Sequence, residues 1–352
     1  MDLTGLKDKA AGLLAAAGVT GRFDLHPLPG GSNNRVFLVQ SAGWRALLKV
    51  YFQHPDDPRD RLGAEFTFLR FASEHRIHQV PRPLASDSAK GLGLYEYIEG
   101  EALHPGQVNN NAVEQALTFW RTLNRHRRSP AARLLPHASE ACFSLADHVR
   151  CVDARVHRLR RVKAGSMIDE EAVAFIDTDL AKAWHEVKDA FEVQADRFLL
   201  SFEKKIDIRT WRLSPSDFGF HNALRTADGG LCFLDFEYAG WDDPARMICD
   251  FFCQPAVPVP MHYLDRFMAG VSDELAAFDT TRCRVELLFP VYRIKWCCIL
   301  LNDFLDADTS RRQFANGSDD VEGRKRRQLT KARALLATQE AGYRAGHDVM
   351  AF

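Results

Sequence analysis

Two textures of sequence meet at Glu99-Gly100-Glu101, and few folds accommodate both. Before that point, short runs of β-branched and aromatic residues are broken by turn clusters; beyond it, apolar residues recur at helical spacing over long stretches. The first part opens on an amphipathic helix through Leu6, Ala10, Leu13 and Leu14. It continues with a hairpin, 35–40 (RVFLVQ) and 45–52 (RALLKVYF), joined by Ser-Ala-Gly-Trp. A helix at 61–73, a Pro-flanked connection at 80–84 and a strand at 93–98 complete it. The second part predicts helices near 111–127, 170–192, 262–277, 283–305 and 319–344, interrupted by one clear hairpin at 223–237. The expected fold is α+β and bilobal: a small antiparallel-sheet lobe over residues 1–96 and a larger, mainly helical lobe over residues 97–352. A chain of 352 residues is long enough to bury a core in each.

Charge narrows the function. The 46 basic and 47 acidic residues nearly cancel, which argues against a protein built to hold nucleic acid or an anionic membrane. The amino terminus carries acids early and lacks an apolar signal core, and no later run reaches membrane-spanning length, so a cytoplasmic protein is expected. The eight cysteines lack paired secretory spacing and read as reduced thiols. Cys249, Cys253 and His262 would make a metal set without a fourth ligand. The basic run 155–163 alternates with apolar residues and reads as one solvated helix face. The expected partner is a small molecule bearing a hydroxyl; no nucleic acid, membrane or protein partner is predicted.

The second-lobe hairpin concentrates the chemistry. Asp228-Gly229 is a strong two-residue turn signal between 223–226 and 231–234. If Ala227 faces Gly230, Asn222 falls directly opposite Asp235, where an amide oxygen and a carboxylate converge on one face. Mg²⁺ takes such oxygen ligands and completes its shell with water and substrate phosphate. Asp217, five residues before Asn222 and within a Ser-Pro-Ser turn, is placed to accept the proton of an attacking hydroxyl.

The first lobe supplies complementary parts. Gly30, Gly31, Ser32 and Asn33 lie between strands, where small residues let backbone amides approach phosphate. Lys49 sits inside the apolar run ALLKVYF, where a buried ammonium needs a counter-charge. Glu65 falls at the spacing of Leu62, Phe66 and Leu69 on the following helix and has the converse need. A Lys49–Glu65 ion pair satisfies both and aims the lysine at nucleotide phosphates.

The order Asp217-x₄-Asn222, hairpin, Asp235-Phe-Glu237-Tyr-Ala-Gly resembles the aminoglycoside phosphotransferase and choline/ethanolamine kinase superfamily, with DFEYAG closest to its choline-kinase side. The resemblance spans roughly 28–252. It implies a kinase-like fold, Asp217 as catalytic base, and Mg²⁺ held by Asn222 and Asp235. It also implies a hinge at Leu94-Tyr95-Glu96-Tyr97-Ile98, where Glu96, Tyr97 and Ile98 would hold the purine, and ATP or GTP as phosphoryl donor to an amino alcohol, sugar or aminoglycoside. The chain departs from the family pattern at Pro215 and Ser216, where many members carry His-Gly, and at Met247, where many carry a bracing Asp that Asp250 would replace. These changes leave a catalytically inactive, nucleotide-binding regulatory pseudokinase as the alternative. Too few residues separate Asp235 from Asp243-Pro244 for the activation segment of a protein kinase. Candidate acceptor contacts are Tyr238, Trp241, Asp242, Asp243, Tyr292, Lys295 and Trp296.

Overall fold

The computed structural model describes residues 3–28, 34–53, 59–305 and 320–345. The strand-rich part forms one five-stranded antiparallel sheet in the order β1-β2-β3-β5-β4. Its strands are β1 (Phe23–Leu28), β2 (Asn34–Ser41), β3 (Trp44–Tyr51), β4 (Pro83–Asp87) and β5 (Leu92–Glu96). The hairpin expected at 35–52 is the β2–β3 pair, in which Ser41 faces Trp44 and Val36 faces Lys49. Strands β1 and β4 carry Pro27 and Pro83 and lie at the sheet's two edges, where a missing amide hydrogen is tolerated.

Helix α1 (Leu3–Ala16) buries Leu6, Ala10, Leu13 and Leu14 with Val39, Leu48 and Leu94 of the sheet in a small apolar cluster. Helix α2 (Arg61–Glu74), capped by the Asp60 carboxylate on the Gly63 amide at 2.8 Å, belongs instead to the core of the larger lobe. There Phe68 stacks on Phe236 with ring centroids 4.7 Å apart.

The rest is mainly helical, as the spacing predicts. Helix α3 (Asn110–Arg125) is followed by α4 (Leu145–Leu159), which begins with a reciprocal Ser144–Asp147 capping box. The basic run falls at the end of α4, and it is not one solvated face: Arg155 pairs with Glu140, and Arg158 donates to Asn302 at 2.7 Å. The helix expected at 170–192 is α5 (Met167–Phe175) and α6 (Ala181–Arg197), joined through a π-helical turn at Ile176–Leu180. Helix α7 (Pro244–Cys253) is buried throughout, α8 (Leu264–Val271) is shorter than expected, and α9 (Phe278–Leu300) and α10 (Val321–Ala345) complete the lobe. Among the described residues no helix is long and apolar enough to cross a membrane.

Short strands punctuate this helical mass. β6 (Glu101–Ala102) pairs with β8 (Ala223–Arg225), which pairs with β9 (Leu231–Phe233); β7 (Arg212–Ser214) pairs with β10 (Gly240–Asp242). Residues 215–222 therefore bridge β7 to β8, and residues 234–239 bridge β9 to β10. Strand β7 is fixed by Asn124, whose side-chain oxygen accepts from the Leu213 amide at 2.9 Å while its Nδ2 donates to the Leu213 carbonyl at 3.0 Å.

Candidate active site

The loop 217–222 alternates polar and aromatic residues, and the aromatic ones anchor it. Phe218 is buried against Phe233 and stacks on Phe251 with centroids 5.0 Å apart; Phe220 is fully buried against Phe251. Burying two phenylalanines contributes several kcal/mol at about 2 to 3 each. It leaves Asp217, just before the anchors, and His221 and Asn222, just after them, at the edge of solvent. A Cβ on Gly219 would lie 2.7 Å from His221 Nδ1, so a larger residue there would displace the imidazole.

Asp217 is held from two sides. Asn222 Nδ2 donates to its Oδ2 at 3.2 Å and to its carbonyl at 3.0 Å, and His221 Nε2 lies 3.2 Å from its Oδ1. Burial works against charge on Asp217, but His221, Asn222 and Lys295 together hold the carboxyl below its usual value. Burial likewise opposes a charged His221, and Asp217 outweighs it and raises the imidazole. Ser216 just upstream takes a left-handed backbone at φ 67°, with its amide donating to Ser214 Oγ at 3.0 Å. Such a backbone costs about 1–3 kcal/mol and persists where the surrounding structure holds it.

The hairpin register differs from the expectation by one residue. Ala223 faces Phe233 and Arg225 faces Leu231, so the turn has three residues, Ala227-Asp228-Gly229, with Gly229 in the left-handed region at φ 83°. Asn222 consequently lies opposite Leu234, whose amide donates to the Asn222 carbonyl at 2.8 Å. Asp235 follows outside the ladder, in a left-handed conformation at φ 68°. Asp217 links the two: it accepts the Asn222 amide, and its charge, after burial and Glu65, pushes the Asp235 carboxyl up against the pull of Lys49.

Lys49 joins the lobes. Its Nζ donates to Glu65 Oε2 at 2.7 Å and to Asp235 Oδ1 at 2.5 Å. Burial alone would strip its proton, but Asp235, Glu65 and Glu237 hold it well above the ordinary lysine value. Glu65 also accepts from Tyr51 Oη at 2.5 Å and from the Phe236 amide at 3.3 Å, and Tyr51 Oη meets Tyr95 Oη at 2.7 Å. The expected ion pair is thus the centre of a buried network.

Three contacts escaped the sequence reading. Asn34, the first described residue after the glycine-rich segment, donates from Nδ2 to buried Glu237 Oε2 at 2.6 Å, and Arg61 lies 4.0 Å from the same carboxylate. The third is His221 against Asp217. Its signal was a histidine four residues after Asp217, and Glu237 lay in the DFEYAG motif without a role.

Gly30, Gly31, Ser32 and Asn33 lie outside the described residues. Glu96 ends β5 opposite Ala46 and accepts from Arg82 Nε at 3.1 Å; half-buried Tyr97 and Ile98 follow, with the Arg45 guanidinium 5.3 Å from the Tyr97 ring centre. Asn222 Oδ1 and Asp235 Oδ2 accept no hydrogen bond from the described residues, leaving two oxygen donors of the kind Mg²⁺ takes. Among the described residues no group of three or more His, Cys, Asp or Glu is arranged to hold a metal, and Cys249 and Cys253 donate instead to the carbonyls of Val285 and Phe289.

Several candidate acceptor contacts serve the framework. Asp242 is buried on Arg246 at 2.6 Å, and Asp243 caps α7 while pairing with Arg284 and His148. Tyr292 bonds His148 Nδ1 at 2.7 Å, and Trp241 donates to the Ala132 carbonyl at 3.0 Å. Asp250 binds Lys295 at 2.7 Å and Trp296 Nε1 at 3.1 Å. Of these, Trp296 approaches the loop 217–222, its ring edge-on to His221 with centroids 6.4 Å apart. Tyr238 is half-buried under Arg61 at 3.5 Å.

This framework carries a pH signature. Burial lowers the His148 imidazole to about 4, with Arg284 and Arg246 adding to it and Asp243 resisting. Between the unfolded value near 6.5 and the folded value the unfolded chain binds more protons, so this contribution is present above 6.5 and lost as pH falls toward 4. His148→Gln is expected to flatten the decline in unfolding free energy across that window by about 3 kcal/mol, read by urea denaturation at each pH. The opposite contribution of Asp242, raised to about 6 mainly by burial, is common to both proteins.

The sequence matches the model of the "Phosphotransferase enzyme family" over residues 24–284. The chain belongs to this family. No curated protein matches it. Among solved structures, the phosphotransferase is similar to a spectinomycin phosphotransferase solved with ADP and spectinomycin, at 13% identity and TM-score 0.63 over 95% of this chain and 98% of that one. It is also similar to choline kinase from Cryptosporidium parvum Iowa II, at 12% identity and TM-score 0.56 over 96% and 97%. A choline/ethanolamine kinase family protein from Mesorhizobium loti matches at 19% identity and TM-score 0.52 over 96% and 100%. The expected bilobal fold and the resemblance to this superfamily both hold for the phosphotransferase.

Proposed function

We propose that this phosphotransferase moves the γ-phosphoryl group of ATP or GTP to a hydroxyl of a small metabolite such as an amino alcohol, a sugar or an aminoglycoside. The observation that carries the reading is Lys49 bridging Glu65 and Asp235, which joins the sheet lobe to the loop after β9 through one charged nitrogen. Solved proteins of similar fold include choline kinases and a spectinomycin phosphotransferase with ADP, which favours a nucleotide donor and a small acceptor.

Residues 1–96 would hold the nucleotide, with Gly30, Gly31, Ser32 and Asn33 covering the phosphates, Lys49 contacting them and Glu96 to Ile98 against the purine. Residues 97–352 would hold the acceptor. Asn222 and Asp235 would bind Mg²⁺, which when bound supplies positive charge to the phosphate oxygens. Asp217, kept ionised by His221 and Asn222, would accept the hydroxyl proton as the oxygen attacks phosphorus, and its anchored loop would set the line of attack. Trp296, edge-on to His221, would border the acceptor.

The pseudokinase reading starts from Pro215 and Met247, but His221 supplies a brace for Asp217 from a different position. A panel of alcohols, amino alcohols, sugars and aminoglycosides, assayed by ADP release with Mg²⁺ and ATP or GTP, separates the two. Acceptor-dependent ADP release is expected. Mg²⁺-dependent nucleotide binding without transfer to any acceptor would instead establish the regulatory reading.

A further inference from the structure

Away from Asp217, two cysteines meet on the flank of the helical lobe. Cys142 lies in the lead-in to α4 and Cys151 on its second turn. Both sulfurs face Glu140: Cys142 Sγ lies 3.3 Å from its carbonyl oxygen and Cys151 Sγ 3.7 Å from Oε2. The lead-in folds back along α4, with the Phe143 amide on the Asp147 carboxylate and the Glu140 carboxylate on Arg155, and both thiols line the same pocket on that flank. Glu140 takes a left-handed backbone at φ 58°, its carbonyl accepts from Arg246 at 2.7 Å and its carboxylate pairs with Arg155, so the platform beneath the thiols is fixed.

The two thiols differ in access. Cys142 is buried, whereas Cys151 is partly exposed, and both line a surface pocket of about 450 Å³ beside Arg155 and Arg158. Cys142 on the same flank, with Lys295 and Arg155 assisting, brings the Cys151 thiol down to about 6 against burial and Glu140. A thiolate beside arginines in an open pocket is a nucleophile, and a second thiol in reach is a resolving partner. Of the other six cysteines, five are buried, and Cys283 is partly exposed with its thiol pushed up by burial.

We propose that Cys142 and Cys151 form a peroxide-reactive dithiol that closes to a disulfide between α4 and its lead-in segment. The Cys151 thiolate attacks one oxygen of a hydroperoxide, forming a sulfenic acid and releasing hydroxide when hydrogen peroxide is the oxidant. Cys142 Sγ then attacks the Cys151 sulfur; the S–S bond forms, the sulfenic hydroxyl leaves, and the Cys142 proton departs with it as water. Two electrons pass from the dithiol to the peroxide.

The full chain, treated with hydrogen peroxide and analysed by intact mass and non-reduced peptide mapping, is expected to lose two hydrogens and to yield one peptide linking Cys142 to Cys151, both reversed by dithiothreitol. Cys283→Ser should behave like the parent chain, and Cys151→Ser should form no internal disulfide. An unchanged mass, a bridge between other cysteines, or oxygen accumulating on Cys151 without linkage to Cys142 would overturn the proposal. The unsubstituted chain alone decides among these outcomes, so the test does not depend on any variant folding.

Discussion

Asp217→Ala is expected to lower turnover by about 10²- to 10⁴-fold, the usual worth of a positioned general base, while leaving the nucleotide Kd nearly unchanged. The separation follows from geometry: Asp217 is bound by His221 and Asn222, whereas Lys49 bonds Glu65 and Asp235 and makes no hydrogen bond to Asp217. Anchoring by Phe218 and Phe220 should keep the loop folded when the carboxylate is removed. His221→Ala should lower kcat less and in the same sense, because it loosens Asp217 without deleting it. ADP release under saturating acceptor, paired with calorimetric nucleotide titration, measures both quantities. Phosphoryl transfer by Asp217→Ala at the parent rate would remove Asp217 from the mechanism.

Lys49→Met should show the largest effect on stability. It leaves Glu65, 6% exposed, as a buried carboxylate without its cation, and breaking such a pair from one side costs about 3–5 kcal/mol. Asp235, 29% exposed at its side chain, can draw on water and should contribute less. The double variant Lys49→Met/Glu65→Gln removes the stranded charge while keeping an acceptor for Tyr51 or the Phe236 amide. It should regain most of the lost stability in urea denaturation and none of the lost nucleotide binding. Losses that simply add in the double variant would show that the two side chains are not coupled.

The Lys49–Glu65 pair was legible because burial leaves two opposite charges so few alternatives. An ammonium in ALLKVYF and a carboxylate on an apolar helix stripe define each other without any knowledge of the fold. The register of β8 and β9 was not legible to one residue. Asp-Gly suits a two-residue turn, but it equally suits a three-residue turn with Gly229 in the left-handed region, and the strands are only three residues each. Register is normally fixed by alternation between a buried and an exposed face, yet Leu231, Cys232 and Phe233 are all buried. The contact of His221 with Asp217 depends on the turn closed by the Asn222 amide on the Gly219 carbonyl, and Asp243 looked available because its partners Arg284 and His148 lie 41 and 95 residues away along the chain, whereas Arg246 stands four residues from Asp242.

The alternation of phenylalanine with polar residues in 217–222 has a thermodynamic corollary. A loop whose Phe218 and Phe220 are seated in the main core loses its conformational freedom once, when the chain folds, and not again at every encounter with substrate. If Asp217 is the base proposed above, its place is set by folding alone, and the surfaces around the loop can change acceptor preference without moving it.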